Sequence, residues 1–321
     1  MHAVAVADLH GNVRLYELLL RIADAWRISS VFITGDLLPG GEFSSVSEAE
    51  VGTGLVDLQR RFIERTLAPL LQSFLAAHRH TNIYAIMGND DCRANEALLR
   101  QLDEATPGFH LVNERLVELR DAKQMHAFFT DEIPLLAVTG YPYVPPGAGL
   151  LVDWVKYENC VRLSPPGMDP CADIYDVGIQ TVPARTRTTI ADDLADYGSY
   201  LQRSGKNGHL SYEAGRTIHL FHSPPYNTPL DSMPPQGRHD HVRLPDHVGS
   251  SEIGKFIERV QPFLVLCGHC HEAVVLGSYK TQIGDTWCVN PGSQTHIDVL
   301  SVVQFNVYDP SEMKQLFISA R

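Results

Sequence analysis

The stretch Val4-Ala-Val-Ala-Asp-Leu-His-Gly-Asn12 puts two potential metal donors, Asp8 and His10, between an apolar run and the start of a helical pattern. Leu15, Leu18, Leu19, Ile22 and Trp26 recur at helical spacing, so residues 13–28 are expected to form a helix. Ala3 to Ala7 is short, apolar and expected to be a strand. Strand, polar turn and helix make the unit of a layered α/β fold. In such folds ligands gather at the loops leaving the carboxyl ends of the strands.

The same unit recurs along the chain. Val31-Phe-Ile-Thr34 runs into Gly35-Asp36, and Ile83-Tyr-Ala-Ile-Met87 into Gly88-Asn89-Asp90-Asp91. Ile218-His-Leu-Phe221 runs into His222, and Phe263-Leu-Val-Leu-Cys267 into Gly268-His269-Cys270-His271. Helices are expected over 55–77 (interrupted at Pro69), 93–102, 190–202 and 250–260, with further strands over 217–221, 262–266, 283–289 and 302–307. Residues 141–187 are rich in proline and glycine and lack periodicity. They read as a loop-rich insertion, either bordering the substrate or running over the surface away from the chemistry.

Composition excludes several classes. Of 321 residues, 26 are Lys or Arg against 38 Asp or Glu, a net charge of -12, which disfavours a polymeric nucleic-acid partner but not a small phosphate ester. No apolar run reaches the length of a membrane span, and the apolar start meets Asp8 and His10 too soon for an export signal. Six cysteines in a chain this long do not make a disulfide framework, so a reducing, cytoplasmic setting is expected. Oligomeric state is not legible.

Five polar clusters, each just past an apolar strand, can converge on one point. They bring the carboxylates of Asp8 and Asp36, the amide oxygen of Asn89, and the imidazoles of His10, His222, His269 and His271. Seven donors exceed what one tetrahedral ion takes. They suit two ions bridged by Asp36 and a solvent hydroxide, and the mixed N and O donors point to Mn, Fe or Zn, divalent or mixed-valence. Each motif alone is weak. His78-Arg-His80 and His239-Asp-His241 show that His-X-His also arises here in polar, loop-like contexts. The argument rests on the conjunction.

Asp8-Leu-His10, Gly35-Asp36, Gly88-Asn89-Asp90-Asp91, His222 and Gly268-His-Cys-His271 resemble, in this order, the motifs of the calcineurin-like metallophosphoesterase superfamily. The run His222-Ser-Pro-Pro-Tyr226, with Asp231 and His247-Val-Gly-Ser250, resembles a poorly characterised prokaryotic branch. The resemblance implies a four-layer α/β/β/α sandwich of two mixed β-sheets flanked by helices, a single domain over 1–321 interrupted by the insertion. It implies one ion on Asp8, His10, Asp36 and His271, and another on Asp36, Asn89, His222 and His269. It implies a phosphoesterase in which a metal-bridging hydroxide attacks phosphorus in line. Asp36, Asn89 and His222 are then expected to be catalytic, and Asn12 and Asp90 to contact substrate. Asn12 has a second reading as the cap of the helix at Val13.

Asp90 stands where the superfamily usually has a histidine that assists the leaving group. A carboxylate beside two dications is expected to be ionised and a poor proton donor, which favours phosphodiesters over simple monoesters. Two other classes compete. Cys267-Gly-His-Cys270 has the form of a thiol–disulfide oxidoreductase motif. A non-catalytic metal-binding scaffold of the same fold is the other.

Overall fold

The structure, a computed structural model, describes residues 2–40, 48–119, 136–147, 151–159, 178–182, 188–203, 212–233, 247–274, 276 and 278–321. Among them twelve strands pair into two six-stranded sheets. The first has the order β12 (Asp309–Ser319), β11 (Val299–Asn306), β1 (His2–Val6), β2 (Ser30–Thr34), β3 (Asn82–Ile86), β4 (Phe109–Leu111). β1 to β4 run parallel, and β11 and β12 close the sheet antiparallel. The second has the order β5 (Leu116–Glu118), β6 (Ala137–Tyr141), β7 (Thr217–Phe221), β8 (Leu264–Leu266), β10 (Thr286–Val289), β9 (Lys280–Ile283), with β6, β7, β8 and β10 parallel.

The period of two along each strand builds the layers. Ala3, Ala5, Phe32, Tyr84 and Ile86 share one buried cluster with Val138, Ile218, Leu220, Leu264, Leu266 and Val303, the filling between the two sheets. The alternate residues Val4, Val6, Val31, Ile33, Ile83 and Ala85 pack with Leu15 and Leu19 of α1 (Val13–Ala25), Leu71 and Leu75 of the helix Ala68–Ala77, and Leu99 of the helix Glu96–Ala105. On the second sheet Phe221 and Val265 join the same apolar cluster as Ile253, Phe256 and Ile257 of the helix Ser251–Val260. The result is the expected four-layer α/β/β/α sandwich. Strands covered on both faces read as unbroken apolar runs, which is why the central ones are plain in the sequence.

Boundaries differ for local reasons. α1 ends at Ala25, where Arg27 turns into left-handed backbone with φ 52°. The helix expected over 55–77 begins at Glu48. It passes through one wide turn, Ile63–Leu67, in which the Ala68 N–H reaches back to the Ile63 carbonyl just before Pro69, which has no N–H to give. The helix expected over 190–202 breaks at Asp196 into Ile190–Ala195 and Tyr197–Arg203. The strand expected over 283–289 is a hairpin turning at Gly284-Asp285. The other segments keep their type with ends moved by a few residues.

The described part of the 141–187 insertion is not a surface excursion. Val144 bridges Val155, Leu151 bridges Ile179, and Trp154 is buried, donating its indole N–H to the Asp91 carbonyl at 2.8 Å. Asp153 accepts the N–H groups of Arg93 and Thr181, both at 2.8 Å. The insertion therefore packs behind the loop that follows β3. Residues 148–150, 160–177 and 183–187, with His239 and His241, lie outside the described residues. Trp154→Phe keeps an aromatic ring but strands a buried carbonyl and leaves a small cavity, and is expected to lower unfolding free energy by about 1–3 kcal/mol in a denaturant titration. An unchanged midpoint would refute the role given to this bond.

Candidate metal centre

Loops leaving β1, β2 and β3 in one sheet and β7 and β8 in the other meet at one edge of the sandwich. The β1 and β2 loops are zipped together by Asp8 N–H to Gly35 O at 3.2 Å, His10 N–H to Asp36 O at 2.8 Å, and Gly11 N–H to Leu37 O at 3.1 Å. Thr34 joins the sheets: its hydroxyl donates to Cys267 O at 2.9 Å, and its carbonyl accepts from His222 Nδ1 at 2.8 Å. That second bond puts the proton on Nδ1 and leaves Nε2 of His222 as a lone-pair donor.

The donor atoms are close-set. His222 Nε2 lies 2.9 Å and His269 Nδ1 2.7 Å from Asn89 Oδ1, and His222 Nε2 lies 3.3 Å from Asp36 Oδ2. His10 Nε2 and His271 Nε2 are 3.2 Å apart. His10 Nε2 is 3.9 Å from Asp36 Oδ2, and His271 Nε2 is 3.7 Å from Asp8 Oδ1. Asp8, His10, Asp36 and His271 each place one ligand atom within 4.8 Å of the others. Donors about 2.1 Å from one ion stand roughly 3.0–3.4 Å apart in octahedral or tetrahedral geometry, and about 4.2 Å apart when trans. The separations here are of that kind. Asp8 Oδ2 is buried and accepts no hydrogen bond from the described residues, a cost hard to sustain for a carboxylate unless a cation meets it.

Backbone conformation supports the same focus. Asp8, His10, Asp36 and His269 all have positive φ, 53°, 43°, 47° and 65°, where a side chain costs about 1–3 kcal/mol unless its surroundings hold it. Four strained donors around one point indicate a site to which backbone comfort was subordinated.

Charge explains the protonation pattern. Burial would drive Asp36 and Asp8 up, but His222 and His271 hold both carboxyls below their usual range. Burial would likewise lower His222, but Asp36 and Asp8 push it up to about 10, and the same carboxylates push His271 up to about 9. Burial and the neighbouring His222 lower His269 to about 4. A cation must therefore displace protons from His222 and His271. Apparent Mn²⁺ affinity is expected to rise with pH from neutrality towards pH 9–10, with proton release visible in titration calorimetry. A pH-independent affinity would refute it. In the metal-free protein both folded values exceed the ordinary 6.5. Their contribution to stability is complete below about pH 6.5 and lost as pH rises through about 9 to 10.

Asp90 is 44% exposed at the side chain, accepts from Asn89 Nδ2 at 2.8 Å, and lies 3.7 Å from His10 Nδ1. The Asp36 charge, then burial, raises it to about 6. Asn12 takes the helix-cap geometry: its side chain accepts from Leu15 N–H at 3.3 Å and donates to Asp298 Oδ1 at 2.9 Å and Thr295 O at 3.3 Å. A phosphate contact by Asn12 would have to replace those partners.

Several further residues hold the donor loops in place. Asp91, fully buried, accepts from Leu37, Leu38 and Gly88 N–H at 2.8–3.0 Å and ties the β2 and β3 loops. Buried Gln59 donates to Pro39 O at 3.2 Å and Asp90 O at 2.7 Å, and accepts from Cys92 N–H at 2.7 Å. Asn290 donates to Gly268 O at 3.3 Å and Cys270 O at 3.0 Å, holding the His269 loop. Ser293 donates to Asp8 O at 2.8 Å. The Asp-Asp doublet was a visible signal; the other three become informative only once folded.

The Cys267-Gly-His-Cys270 motif has the wrong electrostatics for redox work. Both thiols are buried, and burial pushes Cys270 up to about 12 and Cys267 well above its ordinary value, opposite to an activated dithiol.

The model of the calcineurin-like phosphoesterase family matches residues 1–273, which hold all five donor loops. The chain belongs to that family. No curated protein matches it by sequence. Among solved structures it is similar to TT1561 of Thermus thermophilus, with 15% identity, TM-score 0.53, and coverage of 100% of this chain and 99% of the other. It is also similar to GAP50, described as the anchor in the inner membrane complex of Plasmodium (12%, TM-score 0.47, 100% and 85%). A third is a novel archaeal phosphodiesterase (11%, TM-score 0.37, 99% and 100%). The first of these reflects shared fold; the other two, with lower scores, carry no argument. None of the described helices of this family member is long and apolar enough to cross a membrane.

Proposed function

We propose that the chain hydrolyses a small phosphate ester, a phosphodiester in preference to a monoester, at a centre of two cations (Mn, Fe or Zn). Asp8, His10, Asp36 and His271 would hold one, and Asp36, Asn89, His222 and His269 the other. The observation that carries this reading is the meeting of seven O and N donors from five loops at ligand-to-ligand spacing, with a buried carboxylate oxygen that has no other partner among the described residues. Family membership supports phosphate-ester chemistry in general.

Bound cations would make water a better nucleophile and neutralise the phosphate oxygens. The chain's own work is to hold them and to orient the ester. Asp36 spans both donor sets, and Thr34 and Asn290 fix the imidazole-bearing loops from behind. Asp90, half-exposed beside His10, would touch substrate, a reading its exposure supports. Its raised value comes first from Asp36, so cations on Asp36 remove that cause and leave Asp90 an anion. An anion donates no proton to an alkoxide, so Asp90 by itself favours esters whose leaving group departs more readily. A cytoplasmic setting is consistent with the four described cysteines being free and buried.

The test is purified protein loaded with Mn²⁺, Fe²⁺ or Zn²⁺ and assayed on monoesters, cyclic nucleotides and linear diesters. Metal-dependent turnover with diesters preferred is expected. Efficient hydrolysis of unactivated monoesters alone would overturn the preference, and no turnover with any metal would leave the scaffold reading standing instead.

A further inference from the structure

Breaking a phosphate ester leaves an alkoxide or aryloxide that needs a proton. A second polar construction stands at the same edge of the sandwich. Asp231, fully buried on the loop beyond His222, accepts N–H groups from Asn227 at 3.1 Å, Thr228 at 2.9 Å and Gly249 at 3.0 Å. Its remaining contact is His247 Nδ1 at 2.8 Å. With backbone donors already on it, the carboxylate acts as acceptor and fixes the His247 proton on Nδ1. The ring is held on its other flank by Tyr226, centroids 5.6 Å apart, and the side chain remains 27% exposed.

This loop abuts the donor loop. The Asn290 amide donates at once to Leu230 O, Gly268 O and Cys270 O, and Cys270 Sγ lies 3.5 Å from Ser232 O. Ser232 in turn bridges His247, which sets His247 one loop out from His269 and His271. His247 pairs a ring nitrogen with a fully buried carboxylate. His78 faces the exposed Asp24, His219 is enclosed among aromatic rings, and His296 is exposed on the turn 295–297.

We propose that His247 is the general acid for the leaving group and Asp231 its positioning residue, an inference that rests on the phosphoesterase reading above. Water adds to phosphorus and yields a proton to solvent. The bond from phosphorus to the leaving oxygen breaks with its electron pair on oxygen, and the Nε2 proton of the His247 imidazolium passes to that oxygen. Neutral His247, still bonded through Nδ1–H to Asp231, regains its proton from solvent.

The test uses aryl methyl phosphate diesters whose leaving group ranges from p-nitrophenol to unsubstituted phenol, with Mn²⁺-loaded wild type, H247Q and H247A. A general acid matters most for the poorer leaving group. H247Q is expected to lose about 100-fold or more in kcat on the phenyl ester but no more than about tenfold on the p-nitrophenyl ester. Added imidazole should restore part of the phenyl-ester rate in H247A and leave wild type unmoved. Thermal unfolding and bound-metal content identify a variant that is merely misfolded, in which case the other variant decides. Equal losses on both esters, or none, overturn the role of His247 while the phosphoesterase reading stands. Absence of metal-dependent turnover of either ester by wild type overturns both.

Discussion

Asp36→Asn is expected to lower kcat of the metal-loaded protein by at least about 10³-fold, close to 4 kcal/mol of transition-state stabilisation. The residue is almost wholly buried, its Oδ2 stands 3.3 Å from His222 Nε2 and 3.9 Å from His10 Nε2, and its Oδ1 accepts the Asp90 N–H at 2.8 Å. One oxygen of Asp36 thus faces an imidazole from each proposed donor set. An amide of equal size keeps the packing but removes the charge and one oxygen. Metal content by atomic absorption should fall by at least one ion per chain. A variant that holds its full metal and turns over within tenfold of wild type would remove Asp36 from the centre.

Gly35→Ala is expected to be the most damaging substitution of a residue that ligates nothing. Gly35 has φ 105°, a conformation side chains rarely adopt, and an added Cβ would fall 2.8 Å from both Cε1 and Cγ of His222 and closer still to Nδ1. His222 cannot retreat, because Nδ1 is bonded to Thr34 O and the ring is fully buried. Backbone strain and overpacking together predict a loss of about 3 kcal/mol or more in unfolding free energy. Metal affinity should fall too, since Nε2 moves off its line to Asn89. A variant of wild-type stability and metal content would show that the β2 loop yields more easily than its contacts imply.

The donor loops were legible because each follows a strand buried on both faces, and such strands write continuous apolar runs. Val31 to Thr34 and Ile83 to Met87 need no context to be recognised. β6 did not stand out: Ala137-Val-Thr-Gly-Tyr141 is short, and its Gly140 makes room for Ile86 of the facing sheet. β9 and β12 are edge strands with mixed polar and apolar residues, so period-two contrast is faint. The supporting residues stayed hidden for another reason. Gln59 and Trp154 act on backbone carbonyls distant in sequence, and nothing in a glutamine or tryptophan announces which carbonyl it will meet.

The placement of β1 has a consequence for synthesis on the ribosome. Its neighbours are β2 on one side and β11 on the other, with Ala5 opposite Val303. The strand that delivers Asp8 thus waits for residues 299–306 to emerge before its second edge is covered, and long-range pairings of this sort form slowly. Vectorial folding would leave that edge open until then, so nascent chains stalled before residue 299 should be the species that chaperones and proteases find.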